Sequence, residues 1–293
     1  MKQRLNSIVL MALFTLGAAA FPTLAHADSI PLNGTRPFNL VVPSTYKTGT
    51  PAPLIIALHG YTSSGAQTEE YLKMTPVAQA HGILYVYPDG TLDQGGARFW
   101  SATPACCNFY KSKVNDEAFI MSIIDTVSKK YSVDPKRIYV VGHSNGGFMT
   151  NHMACSNSDR IAAVASFAGE QYANIKSCKA SKPISVLQIQ GTSDETINYK
   201  GGNLFGNSYP GAEKTASMWA TLDKCKAKAV KSSTKLDIDS SISGSETVVS
   251  KYVGCASKTS VELWTVNGGA HVPTLVPDFA EKIVNWLLSH PKS

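Results

Sequence analysis

The chain has 293 residues, of which 43% are hydrophobic and 16% are charged, so it can bury the core of one large domain or two small ones. Its formal net charge is +6, and its lysines are interspersed with serine and threonine without forming a basic run. These properties are typical of a globular protein with a mildly basic surface, and they give no indication of a nucleic-acid partner.

Residues 1–27 have the pattern of a secretory signal peptide. Two basic residues precede the apolar stretch 8–20, which is too short to span a bilayer, and residues 25–27 form the A-x-A motif that signal peptidase requires. We therefore predict cleavage before Asp28 and prefer this interpretation to an uncleaved membrane anchor. The mature chain, residues 28–293, is expected to be secreted, either periplasmic or extracellular, and to have no stable membrane anchor.

Beyond Asp28, predicted strands alternate with predicted helices. Segment 54–58 is a continuous apolar run, which is typical of a strand buried on both faces of a parallel sheet. The predicted strands are 38–43 (an edge strand, because it ends at proline), 54–58, 83–87, 138–141, 163–167, 184–189 and 261–266, and the predicted helices are 72–80, 116–130, 146–154 and 279–288. This alternation predicts a single α/β domain with a mostly parallel central sheet and helices on both faces.

Three segments do not fit the alternation. Segments 91–114 and 200–211 are rich in glycine, asparagine and aromatic residues, and long loops inside a compact domain are usually functional or flexible. Segment 226–246 is rich in serine, lysine and threonine, and we predict that it is an exposed insertion.

Six cysteines follow the predicted cleavage site, and an even number in an exported chain indicates disulfide bonds. They are Cys106, Cys107, Cys155, Cys178, Cys225 and Cys255. Their spacing lacks the C-x-x-C pairs of a zinc site, so no metal is expected. The sequence does not fix their connectivity, and our one specific prediction is a bond between Cys225 and Cys255 across an otherwise polar segment.

The strongest chemical signal is the sequence Gly-His-Ser-Asn-Gly-Gly at residues 142–147. It follows a predicted strand and precedes a predicted helix, which is the context of the nucleophile elbow in α/β-hydrolase folds. Side chains at positions 142 and 146 would collide with neighbouring backbone, and the N-terminus of the helix favours an oxyanion near Ser144. We therefore predict an α/β-hydrolase fold in which Ser144 is the catalytic nucleophile.

A serine nucleophile needs a general base, and the base needs an acid that orients it. His271 follows the last predicted strand beside two glycines and is the best candidate for the base. His143 lies within the elbow and is expected to point away from the nucleophile. Asp194 follows a predicted strand and gives the chain order Ser, Asp, His, whereas Glu195 and Glu170 are the alternatives for the acid.

Residues 59–61, His-Gly-Tyr, follow a predicted strand and can turn their backbone toward the serine. We predict that the N–H groups of Tyr61 and Asn145 form an oxyanion hole. Tyr61, Phe109 and the loop 203–209 are candidate walls of the substrate pocket, although packing between loops would explain the aromatic residues equally well.

Several short motifs occur together from about Phe38 to the C-terminus. They are Leu58-His59-Gly60, Tyr87-Pro88-Asp89-Gly90, Phe99-Trp100, Cys106-Cys107, Val114-Asn115-Asp116, residues 142–149, Gly191-Thr192-Ser193-Asp194 and Gly268-Gly269-Ala270-His271. In these motifs the chain resembles a family of secreted esterases that contains LpqC-type polyhydroxybutyrate depolymerases and the feruloyl and acetylxylan esterases of carbohydrate-esterase family 1. The resemblance implies the triad Ser144, Asp194 and His271, and it implies that Trp100 binds substrate near the acyl or aromatic pocket.

Two positions depart from the pattern of the family that the chain resembles. Gln190 stands where the family often has histidine, and Asn115 stands where many members have aspartate. Neither residue belongs to the implied triad, so the implied mechanism is unaffected.

These features predict a secreted serine carboxylesterase that forms an acyl-enzyme and needs no metal or organic cofactor. Its expected partner is an ester, either small or linked to a polymer. Feruloyl or acetyl esters of plant polysaccharide are favoured, because residues 28–293 leave no room for the surface-binding domain of many polyester depolymerases. The alternatives are a polyhydroxyalkanoate depolymerase, a serine peptidase, or an inactive carbohydrate-binding protein on the same fold. The sequence does not predict the oligomeric state.

Overall fold

The computed structural model describes residues 27–30 and 36–293, so nearly all of the predicted signal peptide lies outside the described residues. The strands are β1 (Ala27–Ile30), β2 (Phe38–Val41), β3 (Ala52–Leu58), β4 (Leu84–Pro88), β5 (Thr91–Leu92), β6 (Arg98–Phe99), β7 (Val133–His143), β8 (Ala163–Phe167), β9 (Ser185–Gly191), β10 (Gly201–Leu204), β11 (Asn207–Pro210), β12 (Val230–Lys231), β13 (Thr247–Tyr252) and β14 (Val261–Val266). The α-helices are α1 (Gly65–Leu72), α2 (Met74–Ala80), α3 (Asp116–Lys130), α4 (Asn145–Ser156), α5 (Ala212–Leu222) and α6 (Phe279–Leu288).

Ten strands form one twisted sheet in the order β1-β2-β4-β3-β7-β8-β9-β14-β13-β12. The six central strands, from β4 to β14 in the sheet order, are parallel to one another. On each side of them, two outer strands follow, and each outer strand pairs antiparallel with its inner neighbour. The prediction of a mostly parallel α/β-hydrolase sheet is therefore confirmed. The prediction that β2 is an edge strand is wrong, because β1 pairs with it along its whole length.

The core lies on both faces of the sheet, and β3 shows why. Alternate side chains of a strand point to opposite faces of the sheet. All seven residues of β3 are buried, so both faces of the sheet are covered at this strand. Leu54, Ile56 and Leu58 pack with apolar residues of α3, α4 and α5 on one face. Ile55 and Ala57 pack with residues of α2 and α6 on the other face. A strand in this position can have no polar face, as its sequence predicted.

Helix α3 begins and ends where the sequence predicted. The side chain of Asn115 accepts a hydrogen bond from the N–H of Ala118 and caps the first turn. Acidic residues occupy that turn and lysines occupy the last one, which complements the helix dipole. Helix α6 and strands β8 and β14 also have the predicted bounds, whereas α1, α5 and β13 were not predicted. Within the described ranges no helix is long and apolar enough to cross a bilayer.

Segment 226–246 is only partly the exposed insertion that its composition predicts. Ile238 is fully buried and joins the core on the α6 face. The Glu246 carboxylate accepts hydrogen bonds from the N–H groups of Ile238 and Asp239, at 3.0 and 3.3 Å, and from the Thr247 hydroxyl at 2.6 Å. The prediction was wrong for this half of the segment, because one buried carboxylate satisfies its backbone and anchors it.

Three disulfide bonds join the six cysteines. The predicted bond between Cys225 and Cys255 is confirmed, and it ties the end of α5 to the loop that follows β13. The second bond ties Cys155 of α4 to Cys178, and the third joins the neighbours Cys106 and Cys107. Two of the three bonds therefore link separate elements of the fold.

Candidate active site

Four loops meet at one edge of the sheet because the carboxyl ends of parallel strands lie together. Residues 59–61 follow β3, Ser144 follows β7, Asp194 follows β9 and His271 follows β14. The strands β3, β7, β8, β9 and β14 are consecutive in the sheet. The order of the strands thus brings together side chains that are far apart in sequence.

Ser144 lies in a sharp turn between β7 and α4. Its backbone has φ 56° and ψ −119°, a strained conformation for a residue other than glycine. A Cβ atom at Gly142 would overlap the carbonyl of Gly146, and one at Gly146 would overlap the carbonyl of Leu58. The turn therefore has the geometry of a nucleophile elbow, and it holds the serine hydroxyl at the mouth of a cavity.

Ser144, His271 and Asp194 form a continuous hydrogen-bonded chain. The distance from His271 Nε2 to Ser144 Oγ is 2.9 Å, and the distance from His271 Nδ1 to Asp194 Oδ2 is 2.8 Å. Because an ionised carboxylate can only accept, Nδ1 carries the proton, and Nε2 is free to accept from the serine hydroxyl. The structure therefore brings the three predicted residues together in the arrangement that nucleophilic catalysis requires.

The Asp194 carboxylate is buried and fully hydrogen-bonded. Oδ1 accepts from the N–H groups of Thr196 and Ile197, at 2.9 and 2.7 Å. Oδ2 accepts from Gln190 Nε2 at 2.8 Å as well as from His271. The same Gln190 nitrogen also donates to the Ile197 carbonyl at 2.7 Å. The glutamine that departs from the family pattern thus fixes the loop on which the carboxylate lies.

The two alternative acids have other environments. Glu195 is exposed. Glu170 is fully buried beside Gln188, and burial raises the pKa of its carboxyl group well above the ordinary value. The only carboxylate in the described part of the chain that hydrogen-bonds to His271 is that of Asp194.

His143 does not point away from the nucleophile, so this prediction was wrong. Its ring lies 5.0 Å from the His271 ring, and its Nε2 lies 2.8 Å from the His271 carbonyl oxygen. Since a carbonyl only accepts, His143 Nε2 carries a proton. Burial, together with the neighbouring His271, lowers the pKa of His143 to about 4, so the ring is neutral at neutral pH. The sequence carried no signal for this contact, which spans 128 positions.

His59 is a neutral structural link in the loop beside Ser144. Its Nδ1 donates to the Gly60 carbonyl at 2.7 Å, and its Nε2 accepts from the N–H of Gly90 at 2.8 Å. Burial lowers the pKa of His59 to about 4. Gly60 approaches Ser144 so closely that a Cβ atom there would lie 3.4 Å from the serine Cβ. The loop is therefore held against the elbow.

The predicted oxyanion donors belong to the loop that follows β3 and to the first residue of α4. Asn145 is the first residue of α4, so its N–H has no partner within the helix. The N–H of Tyr61 makes no hydrogen bond to another described residue. Both groups are thus available to a ligand, and their role as an oxyanion hole stays a prediction.

Trp100 lies beneath the loop and does not line the open cavity. The residue is fully buried, and its Nε1 donates to the His59 carbonyl at 3.0 Å. Its backbone N–H donates to Asn145 Oδ1 at 2.7 Å, and its carbonyl accepts from Asn145 Nδ2 at 3.0 Å. Trp100 therefore ties both candidate oxyanion segments together, and its predicted contact with substrate stays a prediction.

The cavity above Ser144 has a volume of about 290 Å³. Its walls include Tyr61, Tyr71 and Val272 in addition to the two histidines of the site. The Tyr61 hydroxyl donates to Asp93 at 2.6 Å, and burial together with this carboxylate raises the pKa of Tyr61 to about 12. Tyr61 is therefore a fixed, neutral wall of this cavity, as predicted, whereas Tyr71 and Val272 were not predicted.

A family model with the description "Putative esterase" matches residues 29–279. Among curated proteins, feruloyl esterase B of Piromyces equi is 28% identical over 237 residues, which are 78% of this chain and 41% of that protein. Poly(3-hydroxyalkanoate) depolymerase C of Paucimonas lemoignei is 30% identical over 195 residues, which are 64% of this chain and 44% of that protein. The chain thus spans less than half the length of either relative. Both matches confirm the predicted resemblance.

Among solved structures, the acetyl xylan esterase from Aspergillus awamori superimposes with a TM-score of 0.63. The match covers 90% of this chain and 98% of that chain, at 16% sequence identity. At this identity the match concerns the fold alone, and it confirms the predicted fold class.

Proposed function

The chain belongs to the esterase family whose model it matches, and we propose that it hydrolyses carboxylic esters with Ser144 as nucleophile, His271 as general base and Asp194 as the acid. Membership of this family supports the prediction of a serine carboxylesterase. The hydrogen-bonded chain from Asp194 through His271 to Ser144 is the observation that carries the assignment of roles. The elbow conformation of Ser144 supports it.

The first half of the proposed reaction transfers the acyl group to the enzyme. Ser144 Oγ attacks the ester carbonyl carbon while His271 Nε2 takes the hydroxyl proton. The carbonyl oxygen becomes an oxyanion, which the N–H groups of Tyr61 and Asn145 stabilise. The buried Asp194 carboxylate stabilises the imidazolium. The C–O bond then breaks, and His271 returns the proton to the departing alcohol.

The second half of the reaction releases the acid. Water attacks the acyl-serine, His271 takes a proton from the water, and the same two N–H groups stabilise the second oxyanion. Collapse of this intermediate returns the proton to Ser144 Oγ and frees the carboxylic acid. His143 and His59 take no proton in this cycle at neutral pH, because burial keeps both rings neutral.

For the substrate, we propose feruloyl or acetyl esters of plant polysaccharide, or similar soluble esters. Support comes from the resemblance and from the relative named as a feruloyl esterase. The relative named as a poly(3-hydroxyalkanoate) depolymerase supports polyester as the second candidate. An inactive carbohydrate-binding protein on the same fold is a candidate from another class, and the intact hydrogen-bonded chain opposes it.

We also propose that the protein is secreted, that residues 1–27 are its signal peptide, and that residues 28–293 are a single catalytic domain. The charge and size pattern of residues 1–27 supports the first two points. The three disulfide bonds support an oxidising compartment, such as the periplasm or the extracellular medium.

A panel of small esters tests the proposed function. The panel contains p-nitrophenyl acetate, p-nitrophenyl butyrate, methyl ferulate and a 3-hydroxybutyrate oligomer. We expect wild type to turn over at least one ester and Ser144→Ala to lower kcat by at least about 10⁴-fold. Ser217→Ala is the matched control, because its hydroxyl bonds only to a neighbouring carbonyl on α5. A folded wild type that hydrolyses none of these esters contradicts the proposal and favours the binding protein.

A further inference from the structure

We propose that a second cavity, next to the catalytic one, is a subsite for the carbohydrate chain on the alcohol side of the ester. This inference rests on the proposed function and names a part of its substrate. The second cavity has a volume of about 640 Å³, and its walls include Thr103, Phe109, Lys111, Tyr172, Phe205 and Asn207. We call it the side cavity.

A short row of aromatic rings connects the two cavities. Tyr61 lines the catalytic cavity together with Ser144. Its ring meets Phe109 edge to face at 5.3 Å, and Phe109 meets Phe205 at 4.6 Å. Phe109 and Phe205 line the side cavity. An ester bound at Ser144 has groups on both sides of its carbonyl, so one group can lie in the catalytic cavity while the other crosses these rings. The larger cavity suits the polymer side.

Phe205 occupies a position that turn geometry does not explain, and its contact with Phe109 leaves most of the residue exposed. Its residue is 81% exposed, the largest value for a bulky apolar residue in the described ranges. Phe205 and Gly206 form the two-residue turn between β10 and β11, and both have positive φ, of 49° and 89°. Turns of this type strongly prefer asparagine and glycine. An exposed phenylalanine in a strained position, held against Phe109, indicates a ring that is kept for a ligand.

The polar lining of the side cavity fits a hydroxyl-rich ligand. Thr103 is buried, and its hydroxyl has no hydrogen-bond partner among the described residues. Lys111 and Asn207 are exposed and offer further donors, and the described lining contains no acidic residue. A neutral sugar packs its apolar face on aromatic rings and bonds its hydroxyls to such groups. A polyester chain offers only acceptors, so it could accept from Lys111 but has no hydroxyl to donate to the Asn207 amide oxygen or to the Thr103 hydroxyl oxygen, whereas a sugar can do both.

Two esters of the same acid test the inference, namely methyl ferulate and a feruloylated arabinoxylan oligosaccharide. The first variant is Phe205→Asn, which removes the ring and places a residue that the turn prefers, so it should fold at least as well as wild type. Phe205→Trp keeps an aromatic ring. Val230→Ala is the matched control, since Val230 is 58% exposed but lies on the outermost strand β12.

We expect Phe205→Asn to lower kcat/KM for the oligosaccharide ester by roughly tenfold, and to lower it much less for methyl ferulate. Phe205→Trp should keep most of the preference for the oligosaccharide, and Val230→Ala should leave both values unchanged. An equal loss on the two esters would place Phe205 in the acyl pocket and overturn the inference. Phe205→Asn values of kcat/KM that equal those of wild type on both esters would overturn it as well.

Direct binding separates this inference from the proposed function. The unesterified arabinoxylan oligosaccharide is titrated into wild type and Phe205→Asn by calorimetry. Binding to wild type that weakens in the variant supports the side cavity even if no ester is hydrolysed. Hydrolysis of methyl ferulate without any binding of the oligosaccharide leaves the proposed function intact and overturns the inference. Tighter binding of a 3-hydroxybutyrate oligomer than of the oligosaccharide overturns it too.

Discussion

The hydrogen bond from His143 to the His271 backbone yields a prediction that separates positioning from packing. His143→Phe keeps an aromatic ring against Tyr71 and Phe167 but removes the donor to the His271 carbonyl. His143→Gln loses the ring, but its amide nitrogen can occupy the place of Nε2 and donate the same hydrogen bond. The two variants therefore remove one property each.

The structure also fixes the expected size of this effect. A hydrogen bond between neutral partners contributes about 0.5–1.5 kcal/mol, and the His271 carbonyl belongs to a half-buried residue that water can partly reach. If the bond acts by holding the general base in line with Ser144, its loss appears in kcat. We therefore expect His143→Phe to lower kcat on p-nitrophenyl acetate by roughly three- to tenfold and to leave KM nearly unchanged.

Steady-state kinetics and thermal unfolding of both variants provide the measurement. We expect His143→Gln to retain kcat within about threefold of wild type, even though it loses more of the packing. A fully active His143→Phe would show that the hydrogen bond does not position the base. An equal loss of kcat in both variants would show that the ring, and not the donor, matters, and it would refute the reasoning.

Three further predictions concern stability. First, protonation of His143 in the unfolded chain should cost stability as pH falls from about 6.5 to 4, by at most about 3 kcal/mol, whereas the buried Glu170 carboxyl, whose pKa is raised, acts in the opposite direction; the difference in urea midpoint between wild type and His143→Phe isolates the histidine, and a difference that does not change with pH would contradict the prediction. Second, the double variant Cys225→Ser with Cys255→Ser, which opens a loop with a sequence separation of 30, should lose about 3 kcal/mol in urea unfolding, and an unchanged midpoint would contradict it. Third, Gly146→Ala should lower the melting temperature and abolish activity, because its Cβ overlaps a carbonyl at the end of β3, and normal activity would contradict it.

Much of the site could be predicted because its signals are local. A β-branched strand, a small-residue turn and a helix are consecutive around Ser144, so the elbow is visible in a few residues. Asp194 and His271 each follow an apolar strand, and the carboxyl ends of parallel strands meet at one edge. The bounds of α3 were predictable for the same reason, since Asn115 and the charges at both ends mark them.

The features that the sequence did not predict depend on distant contacts or lack a local start signal. His143 meets the backbone of a residue 128 positions away. Ile238 lies in a polar segment, but its side chain is buried in the core cluster that contains residues of α2 and α6. Helix α5 begins at Ala212 after Gly211, which provides no side-chain cap, so the helix lacks a start signal.

The most direct test of the central claim is covalent labelling of the native protein with a fluorophosphonate, followed by mass spectrometry of the intact chain and its peptides. We predict a single adduct, located on Ser144, because only this serine hydroxyl in the described ranges hydrogen-bonds to a histidine that contacts a buried carboxylate. Ser144→Ala should give no adduct, and Asp194→Asn should react far more slowly. A folded wild type that stays unlabelled, or an adduct on another serine, would contradict the assignment of Ser144 as the nucleophile.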